Sequence, residues 1–168
     1  MDPDNLTDEQ IGNLLATPKR IRNPKARDVP KAKHIEKNFE VESEDRANQF
    51  VLITRQSTVI AGNFSCGLIW QVRPGHRVIL TRYNGFDHAH ANPLERQTFE
   101  FQCHIHRATT RYIHAGRKAE MFAEVTQRYA TLSDALKCLT DDCGISGLPR
   151  SPDTDEPQTR LFDGNDDR

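Results

Sequence analysis

Six of the seven histidines of this 168-residue chain fall between His76 and His114, interleaved with Arg82, Tyr83, Arg107, Arg111 and Tyr112. Imidazole has an unperturbed pKa of about 6.5, so near neutrality one copy can accept a proton while another donates one. The pairs His88-x-His90 and His104-x-His106 therefore suit three kinds of site. The first is acid–base cleavage of RNA without a metal. One histidine removes the 2′-hydroxyl proton, another protonates the leaving 5′-oxygen, and Arg82 and Arg107, with Tyr83 beside them, clamp the phosphate. The second is a metal site, since four imidazoles are ligands that zinc, iron or nickel accept. The third is a polar sheet face without chemistry that binds RNA or protein.

Which of these is open depends on the elements that carry the histidines. From Phe99 to His106 the residues alternate, and successive side chains on a strand point to opposite faces. Phe99, Phe101, Cys103 and Ile105 are expected in the core, with Glu100, Gln102, His104 and His106 facing outward. A loop holding His88 and His90 can fold back beside that strand, so the four histidines could share a pocket. Asn84-Gly85 reads as a turn, and Asn92 before Pro93 as a loop residue bonding its local backbone.

The frame around them is legible in pieces. Thr7 and Gln10 form a capping-box pair with Leu6 poised to staple onto Ile11, which predicts a helix ended by Pro18. The basic run from Lys19 to Lys37 lacks periodicity and reads as an extended connector, its lysines serving at most to touch phosphates. Ile35, Phe39 and Val41, then Phe50 to Thr54, Phe64 to Val72 and Arg77 to Tyr83 read as strands, with Trp70 in the core. Gly62-Asn63 and Pro74-Gly75 supply turns, so neighbours should pair antiparallel. Ala119 to Tyr129 fits a helix, and Leu132 to Cys143 fits one better, with Thr131 as cap and Gly144 as stop. The expected fold is α+β: a curved antiparallel sheet of about five strands, with an N-terminal helix and C-terminal helices on one face. Residues 1–33 would form the helix and connector, 34–147 the core domain, and 148–168 a disordered tail.

Composition narrows the classes. Lysine plus arginine number 23 against 24 acidic residues, a net charge of −1, which gives no global drive toward nucleic acid or anionic membranes. The longest apolar run is far short of the roughly 20 residues that span a bilayer, and the first residues carry no signal-peptide pattern. A cytoplasmic protein without a membrane partner is expected. Cys66, Cys103, Cys138 and Cys143 include no C-x-x-C pair and read as free thiols. With no cysteine site, no resident cofactor is expected, and less than stoichiometric metal.

Three resemblances attach to these residues. Thr17-Pro18-Lys19-Arg20, Phe64-Ser65-Cys66-Gly67-Leu68, Arg82-Tyr83-Asn84-Gly85, His88-x-His90-x-Asn92, His104-Ile105-His106 and Thr126-x-x-Tyr129 together resemble a family of small uncharacterised bacterial proteins, which implies no particular activity. Arg82-Tyr83-Asn84 followed by the two histidine pairs is similar to small toxins of bacterial toxin–antitoxin pairs, which implies RNA as substrate and a cognate antitoxin as partner. His88-x-His90 with Glu95 downstream resembles the first metal-binding motif of cupins, without the second. The leading expectation is a metal-independent, ribonuclease-like domain using His88, His90, His104 and His106.

Overall fold

The computed structural model describes residues 1–149. The residues beyond, where the tail was expected, lie outside that range. Helix α1 spans Asp8–Ala16, and its capping box is formed: Thr7 accepts from the Gln10 backbone while Gln10 accepts from the Thr7 backbone. Leu6, Ile11 and Leu14 are buried on one side.

Four long strands form the expected meander. They are β3 (His34–Ser43), β4 (Gln49–Ser57), β5 (Phe64–Arg73) and β6 (His76–Asn84), each antiparallel to the next. One face carries Phe39, Val41, Phe50, Leu52, Phe64, Cys66, Leu68, Trp70, Leu80 and Tyr83, all in the core. Helix α3 (Leu132–Asp142), capped by Thr131, adds Ala135 and Leu139 to that core, and Gly144 stops it at a φ of 59°.

The sheet is larger than five strands. The expected connector begins as β1 (Lys19–Ile21), paired with β3, and continues with β2 (Val29–Pro30), also on β3. Short β11 (Ile145–Ser146) joins β1 in parallel, so the sheet is mixed. On the other edge, β9 (His104–Arg107) pairs with β6, and β10 (Phe122–Val125) pairs with β9. These make a nine-stranded sheet among the described residues, and the chain is α+β. The helix expected over 119–129 is replaced by a 3₁₀ turn at Ala119–Met121 followed by β10. Its apolar residues are few, and Phe122-Ala-Glu-Val works equally well with period two once β9 offers an unpaired edge. A short helix α2 (Thr110–His114), capped by Thr109, was not anticipated.

Lys19 departs most from the solvated-connector reading. It is fully buried, and its Nζ donates to the carbonyls of Leu15, Thr17 and Cys143 at 2.6–3.0 Å. Burial lowers it to about 8, still above neutrality. The ammonium therefore joins the end of α1 to the end of α3, where exposed carbonyls favour a cation.

Among the described residues no helix is long and apolar enough to cross a membrane, and Cys66, Cys103, Cys138 and Cys143 are free.

Candidate functional site

The stretch from Phe99 to His106 is not one strand. Strand β8 (Gln97–Glu100) pairs only with β7 (Ala89–Asn92), as a separate two-stranded ribbon. Phe101 then takes a φ of 53° and is 66% exposed. Positive φ is uncommon outside glycine and breaks the alternation, so the parity of β8 does not carry into β9. Phe101 was expected in the core and is outside it. His104 and His106, expected to face solvent, are buried. They do lie on the face opposite Ile105, which packs against the core, but the β7–β8 ribbon covers that second face. Phe99 belongs to this cover, its ring 5.1 Å from His104 and 5.2 Å from His90.

The ribbon brings the two histidine pairs together. His90 stacks on His104 with ring centres 5.4 Å apart and meets His106 edge-on at 4.7 Å. His104 and His106 are 5.0 Å apart, and His88 reaches His104 at 5.1 Å. His88 is exposed, its Nδ1 2.8 Å from the Asp87 carboxylate.

Hydrogen bonds fix the tautomer of each of the other three. His104 Nδ1 donates to the Gln102 carbonyl at 2.8 Å, and His106 Nδ1 donates to the Glu120 carbonyl at 2.9 Å. Their Nε2 atoms are left with lone pairs. His90 Nε2 donates to Asn92 Oδ1 at 3.0 Å, leaving Nδ1 with the lone pair. The Asn92 amide cannot be turned round, because its Nδ2 donates to the Ala123 carbonyl and its Oδ1 accepts from the Ala123 N–H. Asn92 is thus a buried clasp between β7 and β10, across 31 residues, and not a local loop residue. One ring nitrogen each of His90, His104 and His106 lies within 4.8 Å of the others.

Asn84 closes the floor. It stands opposite His104 on β6, and its Nδ2 is 3.4 Å from His104 Nε2 and 3.3 Å from His106 Nε2. Its buried Oδ1 has no partner. Gly85 permits this placement, because a Cβ there would lie 2.0 Å from the Gly62 carbonyl oxygen. Asn84-Gly85 is therefore a close crossing of two chain segments. Sequence reasoning missed both asparagines. Their nearness to histidine motifs was the available signal.

Electrostatics follow from cover. His104 is held down at about 4 and His106 at about 3, mainly because burial penalises the imidazolium. Both are neutral at pH 7.

The remaining expected residues separate. Arg82 lies on the histidine face, directly opposite His106, with a guanidinium nitrogen 3.7 Å from Glu120. Tyr83 points the other way, into the core, where its hydroxyl donates to Asp142 at 2.5 Å. Burial pushes it well above the usual tyrosine range. Arg107 shares Tyr83's side by strand alternation and is exposed. Neither is in the histidine cluster. Glu95 is also elsewhere, held by Arg111 and by the Tyr112 hydroxyl of α2.

No curated protein and no solved structure matches the chain. Residues 6–145, nearly all of the described fold and the whole histidine cluster, match the DUF6978 family, a family of unknown function, and the chain belongs to that family.

Proposed function

We propose that this protein is a metalloprotein that binds one divalent transition-metal ion, zinc foremost, through His104 Nε2, His106 Nε2 and His90 Nδ1. The observation that carries this reading is the convergence of three imidazoles, each with one nitrogen tied to a fixed oxygen and the other left to bind a metal. That second bond sets the tautomer and ring direction a ligand needs, and such outer partners usually accompany metal-binding histidines. At a Zn–N distance of about 2.1 Å, tetrahedral ligand nitrogens stand roughly 3.4 Å apart. The cluster, with its nitrogens within 4.8 Å, is slightly open and would contract by small side-chain rotations.

Asn84 Nδ2 sits where the lone pairs of His104 and His106 meet, so metal entry requires the amide to turn. The turn breaks two long contacts and frees no established bond of Oδ1. It would offer Oδ1 as an oxygen ligand or as a partner to bound water. Three histidines plus an open position is the ligand set of catalytic zinc sites, whose metal makes a bound water acidic.

Metal analysis of protein purified without chelator tests this reading. We expect stoichiometric metal, lost in His104→Ala, and a d–d spectrum of a four- or five-coordinate site after cobalt loading. Wild-type protein that holds no metal and gives no such spectrum refutes it.

A second reading keeps the metal-independent ribonuclease, because exposed His88 is paired with Asp87 and faces the same cluster as Arg82. In that reading neither His104 nor His106 is the proton donor, since both stay neutral through the physiological range, and His88 is the exposed imidazole beside them. RNA cleavage that persists in EDTA would favour it, and a cognate antitoxin would then be the partner to seek.

A further inference from the structure

The sheet face that carries the histidines continues past Arg82 into a groove of about 210 Å³ between β4, β5 and β6. Ile53, Ile69 and Ile79 form its apolar lining, and Arg55, Arg77 and Arg82 its charged one. No carboxylate is among its lining residues. The groove adjoins the histidine centre through Arg82, which stands opposite His106 on one side and opposite Gly67 on the other, and through Ser65, which stands opposite Asn84. Gly67 keeps the space beside Arg82 clear. A Cβ there would meet the Thr81 carbonyl at 3.0 Å and Arg82 Cβ at 3.6 Å.

These guanidinium groups keep most of their donors. The ion pairs of Arg55 with Glu36 at 3.9 Å and of Arg82 with Glu120 at 3.7 Å are too long for hydrogen bonds, and Arg55 spends one N–H on His34 Nε2 at 3.0 Å. Arg77 forms no ion pair among the described residues and is exposed. Three forked donors over an apolar floor suit an oxyanion that can take paired N–H bonds, and phosphate matches that geometry.

Size and lining decide what carries the phosphate. A groove of 210 Å³ lies below the ~300 Å³ at which pockets begin to enclose a whole drug-sized ligand, so it suits a head group. Arg55 and Ser65 are shared with a wider cavity of about 510 Å³, walled by the exposed Val59 and Ile60, which has room for an organic remainder. Single-stranded nucleic acid is normally held on aromatic rings that stack its bases; no phenylalanine, tyrosine or tryptophan lines either cavity, and the one imidazole, His34 in the wider one, meets Arg55 at 3.0 Å.

We propose that Arg55, Arg77 and Arg82 form a binding site for the phosphate of a small phosphate monoester, holding it beside the histidine centre as the substrate of that centre. The substrate role rests on the metal reading above; the binding does not. Calorimetric titration of the full chain with phenyl phosphate, inorganic phosphate and a short oligouridylate, in EDTA and with zinc, tests it. Phenyl phosphate should bind saturably even in EDTA and more tightly than inorganic phosphate. Arg77→Ala and Arg55→Ala should each weaken it by about 10-fold or more, the usual worth of a charge-assisted hydrogen bond. Both side chains are solvent-exposed, so the variants should keep the wild-type melting temperature.

Saturable binding of phenyl phosphate to the wild-type chain in EDTA separates this site from the metal. Failure of the metal reading would show as wild-type protein without metal but with phosphate binding intact. The phosphate site is overturned by the absence of saturable binding, or by binding indifferent to both arginine variants. It is likewise overturned if an adventitious ion response equal for inorganic phosphate and phenyl phosphate is all that appears, or if only the oligouridylate binds at these arginines.

Discussion

Asn92 Oδ1 accepts a hydrogen bond from His90 Nε2 at 3.0 Å and another from the Ala123 N–H at 2.9 Å, so the atom that orients a candidate ligand also fastens the ribbon to the sheet. Replacing it should affect both. Asn92→Ala leaves buried groups on Ala123 unpaired and should cost about 1–3 kcal/mol of stability. It should also lower zinc affinity ~10- to 100-fold, the usual effect of losing a partner of a ligating histidine. Asn92→Asp keeps the acceptor and loses the donor to Ala123, so it should lose stability while retaining most of the zinc affinity. Thermal melts and chelator competition would read the two effects. Equal zinc affinity in Asn92→Ala and wild type would contradict the orienting role.

His88 divides the two functional readings. Its ring touches His104 but it is not one of the three converging ligands. His88→Ala should therefore keep the full metal content. If the protein instead cleaves RNA by acid–base catalysis, the same variant should lose roughly 10²- to 10⁴-fold in rate with EDTA present.

Lys19 should matter for folding and not for phosphate contacts. Lys19→Met removes a donor from three carbonyls at the joined ends of α1 and α3. We expect a loss of about 2–4 kcal/mol in urea melts, since breaking a buried charged network is costly. The loss should be the same at low and high salt. A neutral substitution would show that backbone and water satisfy those carbonyls unaided.

The Asp142 carboxylate gives the core face a pH signature. Two short bonds from Arg128, at 2.7 and 2.8 Å, hold it below the ordinary carboxylate value, with Tyr83 adding a third. A folded value depressed below the unfolded one contributes stability that is complete above the unfolded pKa of about 3.9 and disappears as pH falls through the folded value. Asp142→Asn should therefore destabilise the protein at pH 7 and have a shrinking effect as pH falls below about 4. Tyr83→Phe should cost about 1 kcal/mol, the worth of one hydrogen bond, and leave metal and phosphate binding intact. Loss of either activity in Tyr83→Phe would return that residue to the functional site.

What the sequence determined by itself was local. The Thr7–Gln10 box and the Thr131 cap mark their helices because the bonds that start a helix lie within three residues. The meander from β3 to β6 was readable because alternation and turn residues are adjacent in the chain. Sequence also put His104 and His106 on one face and Ile105 on the other. Parity cannot say what covers a face. That was decided by the β7–β8 ribbon, which Phe101 separates from β9 by turning into positive φ, and no glycine or asparagine advertises that turn. The same ribbon set His90 against His104, buried both histidines of β9 and gave Asn92 a partner 31 residues away. Lys19 and β1 were unreadable for a related reason: a basic run looks solvated until two helix ends supply the carbonyls that hold its first residue. The residue types needed for a site are written along the chain, but their convergence is a long-range outcome, and only folding removes them from water.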